Sequence, residues 1–127
     1  MSITAAGGNR GEVGPIKVVG PCKSGKTSLV AALLGLGFQA RGCSQEHSQV
    51  PDMWRRIAPP RWLIFLDVST QVMRERSARD DWTDDILAVQ QARLRNARGH
   101  AHLYIHTDGL NASQVLEQVL AFFASRE

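Results

Sequence analysis

The sequence predicts one α/β domain: a three-layer α/β/α arrangement around a largely parallel sheet of four or five strands. Three observations predict it. Short β-type runs alternate with helical periodicity in the order β-α-β-α-β-α-α-β-α, the pattern of a parallel sheet with crossover helices. The segment Trp62-Leu63-Ile64-Phe65-Leu66 is apolar without alternation, as in a strand buried on both faces. The length, 127 residues, suits a single domain, and 43% apolar residues suffice for its core.

Residues 1–15 carry Gly7, Gly8, Gly11 and Gly14 and few large apolar side chains, and read as a flexible tail, leaving 16–127 as the domain. Ile16 to Val19 is the first strand. Gly20 to Lys26 is a loop, and Thr27 to Leu36 has Leu29, Val30, Leu33 and Leu34 at helical spacing, closed by Gly37. Phe38 to Cys43 is a weaker strand, followed by a polar turn over Ser44 to Gln49. Pro51 opens a short helix through Trp54 and Ile57, which Pro59-Pro60 ends. After the Trp62 strand a helix is expected over Thr70 to Arg79. A further helix is expected from the N-cap Thr83 to Arg98, with Asp84 and Asp85 in its first turn. His102 to His106 is the last strand. Asn111 to Gln114 has capping-box spacing ahead of a helix carrying Val115, Leu116, Val119, Leu120, Phe122 and Phe123.

Composition narrows the function classes. A net charge of +3 is too mild to argue for specific nucleic-acid binding. There is no apolar run long enough for a membrane span, and the first fifteen residues lack the apolar core of a secretory signal. Two cysteines, Cys22 and Cys43, make no disulfide framework. A cytoplasmic protein is expected.

Between the first strand and first helix stands Gly20-Pro21-Cys22-Lys23-Ser24-Gly25-Lys26-Thr27, which fits G-x-x-x-x-G-K-[ST] in the strand-to-helix context the motif requires. A loop of exposed backbone amides can surround a polyphosphate, and glycines allow the backbone angles this needs. The following helix aims its positive dipole end at the same place. Gly20, Pro21, Cys22, Lys23, Ser24, Gly25, Lys26, Thr27 and Ser28 are therefore the candidate phosphate-binding residues. Lys26 would reach the β- and γ-phosphates, and the Thr27 hydroxyl would bind Mg²⁺.

On these residues the chain resembles the P-loop NTPases, and more narrowly the P-loop small-molecule kinases. Leu63 to Ser69 followed by Arg74, Arg76 and Arg79 is similar to the strand and arginine-bearing helix leading into the lid of nucleotide, shikimate and gluconate kinases. Arg98 to Leu110 is similar to their last strand and the loop near the adenine. The chain departs from them in its shortness, in having no separate apolar Walker B run before Trp62, and in lacking an extended lid, so the acceptor-binding part is reduced or absent. The resemblance implies ATP or GTP with Mg²⁺ as ligands, and kinase-like phosphoryl transfer to a small acceptor, or NTP hydrolysis. The alternative is a nucleotide-binding switch with little turnover. Lys26-Thr27-Ser28-Leu29 is similar to the small GTPases, although neither an Asn-Lys-x-Asp nor an Asp-x-x-Gly motif is present.

Two carboxylates are candidates for the chemistry, each with two readings. Asp67 ends an apolar run, the Walker B pattern of an acid that holds Mg²⁺ through water; equally, it begins the turn into the next helix. Glu46 can orient a water or deprotonate an acceptor hydroxyl, or belong to a solvated loop with His47. Arg74, Arg76 and Arg79 either clamp phosphate or form an outer face paired with Glu75, Asp80 and Asp81. Trp54 and Trp82 either stack on a base or pack inside the fold. His100, His102 and His106 read as strand-face residues.

Overall fold

The computed structural model describes residues 10–79 and 81–126. Four strands form one all-parallel sheet: β1 (Ile16–Val19), β2 (Ala40–Gly42), β3 (Trp62–Asp67) and β4 (Leu103–His106), in the order β2-β1-β3-β4. The register sets Ile16 beside both Ala40 and Trp62, and Ile64 beside Leu103. The described residues also form six α-helices, α1 (Lys26–Gly35), α2 (Met53–Arg56), α3 (Thr70–Ser77), α4 (Asp84–Arg93), α5 (Arg95–His100) and α6 (Ala112–Ala124).

The strand period of two divides the core. Ile16, Val18, Ile64, Leu66 and Ile105 pack with Leu29 and Leu33 of α1, Phe38, and Val115, Val119 and Phe123 of α6. The alternate residues Val19, Leu63 and Phe65 pack with Trp54, Leu94 and Ala97. Helices thus lie on both sides of the sheet, compatible with the three-layer expectation, and β3 is buried on both faces, as its unbroken apolar run predicts, with β1 beside it buried likewise. Polar Lys17 shares the second face. Lys17 is buried, with Nζ donating to the carbonyls of Trp54 (2.8 Å) and Ile57 (2.7 Å). Burial pulls its ammonium below the ordinary lysine value; Cys43 opposes this and Arg41 adds to it.

The caps behave as the sequence predicts at three places. Gly37 follows α1 with φ 95°, Thr83 accepts from the Ile86 amide, and Asn111 and Gln114 form a complete capping box. Elsewhere the boundaries move. The strand expected over Phe38 to Cys43 contracts to three residues, because Phe38 turns into the α1/α6 core. The helix expected to Arg79 stops at Ser77, with Ala78 left-handed at φ 56°. The single helix expected from Thr83 to Arg98 is two, broken at Leu94. Leu94 is fully buried with Ala97 against Trp54, Leu63 and Phe65, so packing on the sheet overrides continuous periodicity.

Of the glycine-rich segment, residues 1–9 lie outside the described residues. Arg10–Val13 is a 3₁₀ turn joined to the domain: Arg10 Nη1 donates to Leu36 O at 3.0 Å and Trp62 Nε1 to Val13 O at 3.0 Å. Among the described residues no helix is long and apolar enough to cross a membrane.

Candidate functional site

The carboxyl ends of β1 and β3 lie side by side, and the Gly20–Thr27 loop leaves the sheet there. Gly20 is the residue that permits it: a Cβ at this position would run into the Leu66 carbonyl oxygen and the Ser24 hydroxyl. A short turn follows (Ser24 N to Pro21 O, 3.2 Å), then Lys23 at φ 65° and Gly25 at φ 105°, both left-handed. Gly25 is also the N-cap of α1, and no side chain caps that helix. The first amides of α1 therefore face outward without a side-chain acceptor, at the positive end of its dipole.

Three side chains from elsewhere hold the loop's backbone in place. Gln90 of α4 accepts from the Cys22 amide at 2.9 Å. Arg76 of α3 donates to Lys23 O at 2.8 Å and to Thr107 O at 2.8 Å. The buried Thr107 hydroxyl lies 3.1 Å from Ser24 O and 2.9 Å from Asp67 O. Beside α1's first turn, a cleft of about 240 Å³ opens between the loop and the connection from β4 to α6, lined by Ser24, Gly25, Ser28, Arg76, Thr107 and Leu110 among others.

The Lys26 ammonium turns back into the loop, donating to Gly20 O (2.8 Å) and Pro21 O (2.9 Å) and lying 3.0 Å from Glu46 Oε2. Glu46 sits on the 3₁₀ turn Gln45–His47 after β2 and is 3% exposed. Its neighbour holds that turn: Gln45, fully buried, donates to Val50 O (2.8 Å) and Arg93 O (3.3 Å) and accepts from the Trp54 amide (2.9 Å). Glu46 Oε1 is buried with no hydrogen-bond partner. Cys22 Sγ and the exposed His47 Nε2 approach each other to 3.3 Å, next to Glu46 Oε2.

Asp67 is at the same sheet edge, and its side chain follows Leu63 and Phe65 to the face covered by α4 and α5. There its carboxylate accepts from the Val68 amide (2.9 Å), Gln91 Nε2 (2.7 Å) and the Tyr104 hydroxyl (2.6 Å), with Arg98 Nη1 at 3.8 Å. Burial and the Asp67 hydrogen bond push the Tyr104 phenol up to about 12. Among the described residues no hydrogen bond or ion pair joins Asp67 to Lys26, Thr27 or Glu46. Thr27 and Ser28 are exposed on the first turn of α1.

The arginines separate: Arg76 reaches the loop, Arg74 donates to Trp82 O at 2.7 Å, and Arg79 pairs with Asp81 at 2.6 Å on the surface. Trp54 is core, with Nε1 on Asn96 Oδ1 at 2.8 Å, and Trp82 Nε1 donates to Ser77 Oγ at 2.8 Å. Cys22 and Cys43 are both free thiols, and burial pushes the Cys43 thiol up. His102 and His106 have partners of their own: His102 Nδ1 accepts from the Leu63 amide at 3.0 Å, and His106 Nδ1 lies 3.8 Å from Asp108 Oδ1.

Sequence reasoning missed Gln45, Gln90 and Thr107. Each is a buried polar residue at the edge of an apolar pattern. Gln90 in particular stands one turn before the core residue Leu94, a place where a polar side chain needs an interior partner. No protein-family model and no curated protein matches the chain.

Proposed function

We propose that this chain is a P-loop-type domain that binds a magnesium-complexed nucleoside triphosphate, ATP first and GTP second, with the phosphates on the Gly20–Thr27 loop. The observation that carries the reading is the stored ammonium. Lys26 Nζ rests on two carbonyls of its own loop, beside an uncapped helix start and at the carboxyl edge of a parallel sheet. A triphosphate would replace those carbonyls as acceptors of a charge-assisted hydrogen bond. The adjoining cleft, with Leu110 on one wall and the exposed Ser28 hydroxyl as a polar handle, suits the nucleoside.

The donors present fit magnesium, which takes oxygen ligands and keeps several waters. The Thr27 hydroxyl would hold it, while Glu46 is paired with Lys26 and Asp67 is engaged by Gln91 and Tyr104. A magnesium ion held there would supply charge neutralisation to the bound phosphates. Lys26 supplies the second positive charge. Arg76 fixes the loop by its backbone instead of clamping phosphate. With Glu46 turned toward the loop, phosphoryl transfer to a small hydroxyl acceptor or to water is the activity this arrangement supports. The saturation of Asp67 favours the second reading, nucleotide binding with little turnover.

Calorimetry with MgATP and MgGTP tests the proposal. One-to-one binding is expected, lost at least tenfold in Lys26→Ala. At ligand a hundredfold above Kd, stability rises by about 2.7 kcal/mol, which thermal melting reads directly. Acceptor-stimulated ADP release supports the kinase reading, and slow nucleotide release without turnover supports the switch. No heat from either nucleotide overturns both.

A further inference from the structure

We infer that Cys22, Glu46 and His47 form a three-ligand site for a zinc-class divalent ion, separate in chemistry from the oxygen-only magnesium site. The three donor atoms come from two chain segments that the fold brings together. Cys22 Sγ to His47 Nε2 is 3.3 Å, His47 Nε2 to Glu46 Oε2 is 3.8 Å, and Cys22 Sγ to Glu46 Oε2 is 4.0 Å. A circle through these atoms has a radius of about 2.2 Å, against zinc–ligand distances of about 2.0–2.3 Å for oxygen, nitrogen and sulfur. An ion close to its centre, a little out of the plane of the three atoms, therefore meets all three without movement of the backbone.

The donor types select the metal. A thiolate and an imidazole with one carboxylate suit zinc and its neighbours in the first transition series, and disfavour magnesium and calcium. Three protein donors leave a fourth position for water or an external oxygen.

Two features mark the cluster as built. Glu46 is 3% exposed, with Oε2 beside the thiol and the imidazole, and its other oxygen, Oε1, has no partner among the described residues. Gln90, also buried, orients Cys22 twice: Oε1 accepts from its amide at 2.9 Å and Nε2 donates to Sγ at 3.3 Å. That second bond is the outer-sphere support a metal-bound thiolate uses. The exposed His47 provides the entry side.

Glu46 Oε2 is shared, because Lys26 Nζ lies 3.0 Å from it. The ion and the ammonium compete for one oxygen, so occupancy of the site releases Lys26 from its pair.

Cobalt(II) and zinc titrations of the nucleotide-free chain test the site. Expected is one equivalent of cobalt, with a thiolate-to-cobalt charge-transfer band and tetrahedral visible bands that zinc abolishes. Cys22→Ser and His47→Ala each weaken zinc at least tenfold, read by competition with a chromophoric chelator, while Cys43→Ser and His106→Gln leave it unchanged. Lys26→Met tightens it several-fold. Far-ultraviolet circular dichroism checks that each variant is folded, and His47, being exposed, keeps the test sound if Cys22→Ser unfolds. Absence of the thiolate band, or zinc affinity retained in His47→Ala, overturns the site; an unchanged affinity in Lys26→Met overturns the shared oxygen. No nucleotide enters any arm, so failure here leaves the nucleotide proposal standing, and the reverse.

Discussion

Replacing Glu46 by glutamine should tighten MgATP binding. In the free chain the Lys26 ammonium lies 3.0 Å from a carboxylate that is almost wholly buried. At an effective dielectric of about 20, that separation corresponds to a gross attraction of about 5 kcal/mol. Most of it is offset by the desolvation of the buried carboxylate, and the glutamine amide retains one hydrogen bond to the ammonium. A net of about 1–2 kcal/mol remains to be given up when Lys26 turns to a triphosphate, and removing it should improve affinity about tenfold. The loss of a negative charge beside the phosphates acts in the same direction. Calorimetry at fixed ionic strength measures the change. In a Lys26→Ala background the same substitution should yield less than half the gain, because only the charge repulsion is left to relieve. If turnover exists, it should fall as affinity rises, since the carboxylate is then missing from the reaction. A folded Glu46→Gln variant that binds MgATP as the parent does, or more weakly, refutes the idea that this pair opposes the nucleotide.

Three further outcomes follow from the same contacts. Gln45→Ala removes three hydrogen bonds and leaves the buried Trp54 amide without an acceptor, so stability should drop by about 2–4 kcal/mol in urea titration; a change under 1 kcal/mol would mean water replaces the side chain. The chain has one tyrosine, so ultraviolet titration reads Tyr104 alone, and its phenol should ionise near 12. The unfolded chain ionises near 10, so the stability this group supplies is complete below pH ~10 and is lost as pH rises through 12, and Asp67→Asn should move the midpoint down. Gly20→Ala forces a methyl against the Leu66 carbonyl and should cost about 3 kcal/mol or more, with Gly11→Ala, where the added carbon meets nothing within 4 Å, as the neutral control in thermal melting.

Local patterns carried the elements well. The Ile16–Val19 strand, the capping box at Asn111 and the N-cap at Thr83 depend on residues within four positions of each other, and the structure contains all three. The break at Leu94 was not legible, because helical periodicity continues across it and only packing on β3 interrupts it. Of the two carboxylates that the sequence left level, the fold separates the surroundings. A period of two sends Asp67 to the face of Gln91 and Tyr104, while the turn after β2 carries Glu46 to Lys26. Arg76 could not be singled out by spacing either, since its partners Lys23 and Thr107 lie in distant segments, whereas Arg74 and Arg79 find theirs nearby in Trp82 and Asp81.

The linear chain thus determined the alternation of strands and helices and the glycine-lysine loop between the first two, because backbone conformation and amphipathic period are set by near neighbours. Tertiary structure alone decided which acid faces the loop, that Cys22 meets His47 across 25 residues, and that Gln90 holds Cys22 in place. Those meetings depend on how the crossovers return each strand end to a common edge, and no local signal in the sequence records that.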